Sequence, residues 1–213
     1  MIFLGPSLSH SEARTILEAD YRPPVRRGDL ASLESGCRIV GIVDGVFMTD
    51  AAVGHREILA LLQNGIKVVG GSSMGALRAA ELSDFGMVGV GEVYKMYSSG
   101  QIDGDDEVAL AFNPETLEPM SEALVNLRFN VSRAVDRNVI SLAEADLMID
   151  EIKRTYFPKR SYDLLLSIAQ DKFGKDKSDG LRAFLGNQAK DLKKSDALMV
   201  IATIKTLIKS ELY

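Results

Sequence analysis

The residues with the clearest chemical potential are Gly71-Ser72-Ser73-Met74-Gly75, a Gly-x-Ser-x-Gly stretch. It follows the apolar run Ile66-Lys67-Val68-Val69 and precedes the helical pattern Ala76-Leu77-Arg78-Ala79-Ala80-Glu81-Leu82. A strand, a sharp turn and a helix in that order present a serine hydroxyl at a helix N-terminus, as a nucleophile elbow does. The first helical amides have no partner within the helix, so they can donate to an oxyanion. On this reading Ser73 is the nucleophile and the Met74 amide the first oxyanion donor, with Gly71 and Gly75 keeping the approach open. Two other readings fit the same residues: an anion site at the helix N-terminus, and a glycine turn that only packs against a sheet. No Gly-Lys-Ser/Thr follows, which excludes a Walker loop.

A nucleophilic serine needs a base. The chain has two histidines, His10 and His55, and His55 lies in the helical segment before the elbow strand. A lysine can serve instead if burial or a cationic neighbour takes it below its free value of about 10.4. Stepping by three and four from Lys193 meets Ala197, Val200, Ile204 and Ile208, an apolar stripe. The same steps from Lys194 return to Lys205 and Lys209. Lys193 is therefore the lysine expected to face inward; the plainer reading is a side chain snorkelling at a helix start. Arg78 and Glu81 read either as an anion contact with its orienting partner or as a surface i,i+3 pair. Asp103, Asp105, Asp106 and Glu107 lack the spacing of a calcium loop and read as an acidic turn rather than a metal site. The single cysteine, Cys37, reads as a small residue opening a buried strand.

Short apolar runs separated by helical patterns fill the first half, which implies parallel βαβ units. Strands are expected at Ile2-Phe3-Leu4, Arg38 to Val43 and Ile66 to Val69. Helices are expected from Ser9 to about Leu17, from about Ala52 to Gln63 with Asn64-Gly65 as its cap, and from Ser72 to Leu82. Asp20 to Asp29 reads as a loop. Beyond about residue 115 only helical spacing remains, with Pro119 suited to a first helical turn. Ser141 and Glu144 form a capping box, and 161–172, 179–191 and 195–212 also read as helices. The expected architecture is an α/β core over residues 1–115, carrying the serine elbow, with an all-helical region over 116–213 packed on it.

A net charge of −5 disfavours a nucleic-acid binder that works through a broad basic surface. The 213 residues are 46% hydrophobic and 26% charged, ordinary for a globular protein. No segment has the length of apolar chain that a membrane helix needs, and the opening Met1-Ile2-Phe3-Leu4 is too short for a signal peptide. A cytoplasmic location is the expectation.

Several segments resemble the TfuA family: Phe3-Leu4-Gly5-Pro6-Ser7-Leu8, Val43-Asp44-Gly45-Val46-Phe47 and His55-Arg56-Glu57-Ile58-Leu59. Most specific is Ser72-Ser73-Met74-Gly75-Ala76-Leu77-Arg78-Ala79-Ala80-Glu81-Leu82, followed by Gly86-Met87-Val88-Gly89-Val90-Gly91. Asp105-Asp106-Glu107-Val108-Ala109-Leu110 and, more weakly, Lys193-Lys194-Ser195-Asp196-Ala197 complete the resemblance. It departs at Arg56, where lysine is common in the family, which argues against that position as the base. The resemblance implies a protein that acts beside a YcaO enzyme, which uses ATP to activate a peptide amide for replacement of oxygen by sulfur. It implies hydrolysis of the thiocarboxylated C-terminus of a ThiS-like carrier, releasing sulfide, and help for the YcaO enzyme in engaging its peptide or protein substrate.

The family site is a Ser–Lys pair, which carries over to Ser73 and, on the stripe and the tail match, to Lys193, with Lys159 and Lys67 as fallbacks. His55, Arg78, Asp44 and Ser72 are then expected to shape the site or to meet the anionic thiocarboxylate. No cofactor or metal is implied. The short chain leans towards an archaeal setting and methyl-coenzyme M reductase thioamidation, with bacterial thioamide peptide biosynthesis as the competing setting. A non-catalytic YcaO-docking partner and a free-standing serine esterase or thioesterase are the rival expectations.

Overall fold

The computed structural model describes residues 1–33, 36–47 and 51–210. The chain divides into two compact units. One holds residues 1–105, 114–118 and the chain from Lys193 on; the other holds 106–113 and 119–192. In chain order the strands are β1 (Ile2–Phe3), β2 (Tyr21–Arg22), β3 (Ile39–Ile42), β4 (Lys67–Gly71) and β5 (Val88–Val90). The helices are α1 (His10–Ile16), α2 (His55–Gln63), α3 (Met74–Leu82), α4 (Glu92–Ser98), α5 (Leu124–Asp136), α6 (Leu142–Arg154), α7 (Tyr162–Phe173), α8 (Lys175–Gln188) and α9 (Leu192–Ser210). The α/β front half and helical back half expected from the sequence are both present. The helix expected over 195–212 is α9, and residues 211 and 212 lie outside the described residues.

All five strands are parallel, in the order β2-β1-β3-β4-β5. Their side chains alternate between two buried faces, which is why the strands read as continuous apolar runs. Phe3, Val40, Ile42 and Val68 face Ile58 and Leu61 of α2 and Met74, Ala79 and Leu82 of α3. Ile2, Ile39 and Val69 face Ala13 of α1 and Ala197, Val200, Ile201 and Ile204 of α9. The sheet unit is thus closed on one side by the helices that follow its strands. On the other it is closed partly by α9, which begins at Leu192, long after the last strand ends at Val90. From β1 the chain runs outward to β2 and then crosses back to β3. The loops leaving β1 and β3 therefore diverge at their carboxyl ends, the place where doubly wound sheets form ligand crevices.

The structure adds elements that periodicity does not reveal. Tyr21–Arg22 in the expected loop forms β2, and Val88–Val90 forms β5. These strands are two and three residues long, too short for a period-2 signal. Pro119 does not open a helix: it pairs with Phe112 in an antiparallel bridge, and α5 begins at Leu124.

In the helical unit, α5 to α8 pack around Leu127, Val131, Met148, Ile152, Leu165 and Leu181. Two carboxylates of the acidic run are held by cations of this unit. Glu107, 1% exposed, accepts from Arg128 at 2.7 and 3.3 Å, and Asp106 accepts from the buried Arg160 at 2.6 Å. Among the described residues no His, Cys, Asp and Glu are grouped as metal ligands, and no helix is long and apolar enough to cross a membrane.

Candidate functional site

The site is built on the short path from β4 into α3. The Ser73 amide donates to the Gly71 carbonyl at 2.8 Å, closing a three-residue turn across Ser72. Ser72 sits at the apex with φ +69°, the strained form of γ-turn that non-glycine residues seldom adopt. A conformation of this kind costs on the order of 1–3 kcal/mol and persists where its surroundings hold it. Here the Ser72 hydroxyl donates to the Lys193 carbonyl at 2.8 Å. The turn is thereby fixed to the first turn of α9.

Ser73 follows, 3% exposed, as the N-cap residue of α3, and its side chain does not cap the helix. The Gly75 amide donates to the Val43 carbonyl at 3.2 Å, and the Ala76 and Leu77 amides donate to the Ser73 carbonyl at 2.9 and 3.3 Å. Among the described residues, the Met74 amide alone in this first turn has no backbone acceptor. Gly75 has no room for a side chain: a Cβ there would collide with the Ile42 carbonyl. The start of α3 is consequently pressed onto the end of β3, with the Ser73 backbone at the carboxyl edge of the sheet.

Asp44, at the end of β3 and 1% exposed, gathers the neighbouring loop. Its Oδ2 accepts from the Gly5 and Ser7 amides at 2.9 and 3.1 Å, and its Oδ1 accepts from the Ser7 hydroxyl at 2.6 Å. These bonds tie the loop after β1 to the loop after β3 at the crevice defined by the strand order. Asp44 is the scaffold of that crevice. Its carboxylate oxygens are already engaged by donors from its own unit.

His55 and Arg78 are brought to each other through Glu81. His55 Nε2 lies 2.8 Å from Glu81 Oε2, and Arg78 donates to the same oxygen at 2.6 Å and to the Val53 carbonyl at 3.1 Å. Arg78 and Glu81 are thus an i,i+3 pair extended by a histidine, joining the start of α2 to the second half of α3.

Lys193 is 2% exposed and heads the largest fully buried side chains, while Ala197, Val200 and Ile204 of the same stripe are also buried. Lys194 is 43% exposed and pairs with Glu12 at 2.8 Å. Of the fallback lysines, Lys67 opens β4 at the end of the strand away from Ser73. Lys159 is exposed in the Phe157–Lys159 turn of the helical unit.

One residue of this region carried no role in the sequence reading. Asp196, 1% exposed, accepts the Glu92 and Val93 amides at 3.0 and 2.7 Å. Burial pushes its carboxyl up from the ordinary value, and the two backbone donors oppose that rise. The available signal was a lone carboxylate one turn after Lys193 on an otherwise apolar stripe.

No curated protein matches the chain significantly. A family model described as TfuA-like protein matches residues 44–161, more than half of the chain. The matched stretch contains Asp44, His55, the Ser72–Ser73 turn and Arg78, and stops short of Lys193. By this match, which spans the serine turn, the chain belongs to the TfuA-like family.

Proposed function

We infer that this TfuA-like protein acts in thioamidation-associated chemistry, with a YcaO enzyme as its partner. We propose that its own reaction is hydrolysis of a thiocarboxylated ThiS-like carrier, releasing sulfide for the YcaO step, with Ser73 and Lys193 as the reacting pair. The supporting observation is the bond from the Ser72 hydroxyl to the Lys193 carbonyl, which joins a buried lysine to the turn that presents Ser73. Removing a lysine from water works against its charged form, so burial suits a base.

In this reading the Ser73 Oγ attacks the thiocarboxylate carbon while its proton passes to the Lys193 amine. The oxyanion is stabilised at the Met74 amide. Collapse breaks the C–S bond as the Lys193 ammonium gives its proton to sulfur, so hydrosulfide leaves and the amine is neutral again. Water, deprotonated in turn by Lys193, then cleaves the Ser73 ester and returns the carrier with an ordinary carboxylate. His55 and Arg78 have the chemistry to meet an anionic carrier tail.

The test incubates thiocarboxylated carrier with wild type, Ser73→Ala and Lys193→Met, following sulfide and the intact mass of the carrier. Sulfide release is expected to fall by about 10³-fold or more in both variants, with carrier binding preserved. Unchanged release in both variants removes the proposal and leaves a docking role beside the YcaO enzyme.

A further inference from the structure

On the sheet unit, α9 presents a ridge spaced four residues apart, Asp196, Val200 and Ile204, and each member meets a glycine. A Cβ on Gly41 of β3 would lie 2.6 Å from Ile204 Cδ1, and one on Gly71 of β4 would lie 2.6 Å from Val200 Cγ2. A Cβ on Gly91, after β5, would collide with the Asp196 carboxylate. These glycines form a diagonal groove across three adjacent strands, into which the i±4 row of the helix fits. Two of the three contacts are apolar and set how closely α9 approaches. The third is polar and directional.

Each Asp196 oxygen accepts one of the first two amides of α4, at 3.0 and 2.7 Å. Gly91, at φ +95°, turns the chain so that both amides reach it. Apolar ridges tolerate sliding and rotation, whereas a carboxylate held by two N–H groups fixes both.

We propose that Asp196 is the positioning residue for Lys193: by clamping the first turn of α9 to the N-terminus of α4, it sets the lysine against the serine elbow. This rests on the Ser73–Lys193 reading above. Both Asp196 oxygens accept backbone amides of α4. Asp196 acts through placement, on the same helical face and one turn along.

Asp196→Asn tests this with little change of shape, because it presents an NH₂ group to one of the two amides. Gly91→Ala disturbs the same clamp from the other side. Ile204→Val, which thins the ridge at Gly41, controls for lost stability. The kinetic readout is kcat and KM for sulfide release; the second readout, independent of activity, is the acylation rate of Lys193 by acetic anhydride, followed by peptide mass. In Asp196→Asn and Gly91→Ala we expect kcat to fall about 10- to 100-fold with KM nearly unchanged. We expect Lys193 acylation to change several-fold, and the Ile204→Val control to change neither.

Wild-type acylation of Lys193 in both clamp variants overturns the proposal, whatever the kinetics. So does wild-type kcat in both while Ser73→Ala and Lys193→Met remain inactive; that result leaves the hydrolase reading standing. If the wild type itself releases no sulfide, the hydrolase reading fails alone, and the acylation rates still decide whether Asp196 positions the lysine.

Discussion

At the scale of single residues, Ser72 and Ser73 have divided roles. Ser72 carries the strained backbone and commits its hydroxyl to the Lys193 carbonyl, while the Ser73 side chain is not used to cap α3. The division makes a measurable prediction. Ser72→Ala loses the buried hydrogen bond and keeps the positive φ, so it is expected to destabilise the protein by about 1–3 kcal/mol. Ser72→Gly loses the same bond and relieves the backbone, since glycine adopts positive φ without steric cost. It is expected to be about 1 kcal/mol less destabilising than Ser72→Ala, as read by urea titration. Equal midpoints for the two variants would show that the turn stores no strain. The two neighbouring serines look alike in the sequence, because the dihedral angle that separates them is set by contacts with α3, β3 and α9.

At the scale of elements, the capping box of α6 was legible from Ser141 and Glu144 alone, because both partners lie within four residues. The Glu144 carboxylate accepts the Ser141 amide at 2.7 Å, and Lys177 lies 3.1 Å from it. The Ser141 amide above all holds the Glu144 carboxyl below its ordinary value of 4.5. A carboxyl lowered in the folded state stabilises the fold above its unfolded value and loses that contribution as pH falls through the folded one. Glu144→Gln is therefore expected to lose about 1 kcal/mol of stability at pH 7. Its deficit against wild type should close progressively below about pH 4.5, by urea titration at stepped pH. A deficit constant down to pH 3 would assign the loss to packing rather than charge. By contrast β2 and β5 were not legible, because strands of two and three residues exist only through their neighbours in the sheet.

At the scale of the whole molecule, the decisive feature is that α9 belongs to the sheet unit although the helical unit precedes it in the chain. It covers Ile2, Ile39 and Val69 with Ala197, Val200, Ile201 and Ile204. Ending the chain at Asp191 would uncover that face of the sheet. The truncated protein is expected to bind a hydrophobic dye and to lose a cooperative thermal transition for the sheet unit, as monitored by calorimetry. A sharp transition retained at the wild-type temperature would show that the sheet is stable without α9.

The sequence by itself determined the parts whose physics is local. The glycine-flanked turn into α3, the capping box, and the apolar stripe that turns Lys193 inward all depend on residues within a few positions of one another. Family membership was legible for the same reason, in contiguous motifs from Phe3 to Leu110 and most specifically in Ser72 to Leu82. Only the tertiary structure decided that the Lys193 carbonyl meets Ser72, that Asp196 meets the first amides of α4, and that Gly41, Gly71 and Gly91 form one groove. Those contacts join residues about 100 or more positions apart. They arise from the order in which parallel strands assemble and from close approach of backbones, which no spacing in the chain encodes. The serine elbow was therefore visible from its own residues, and the contacts that tie the start of α9 to it were visible only in the fold.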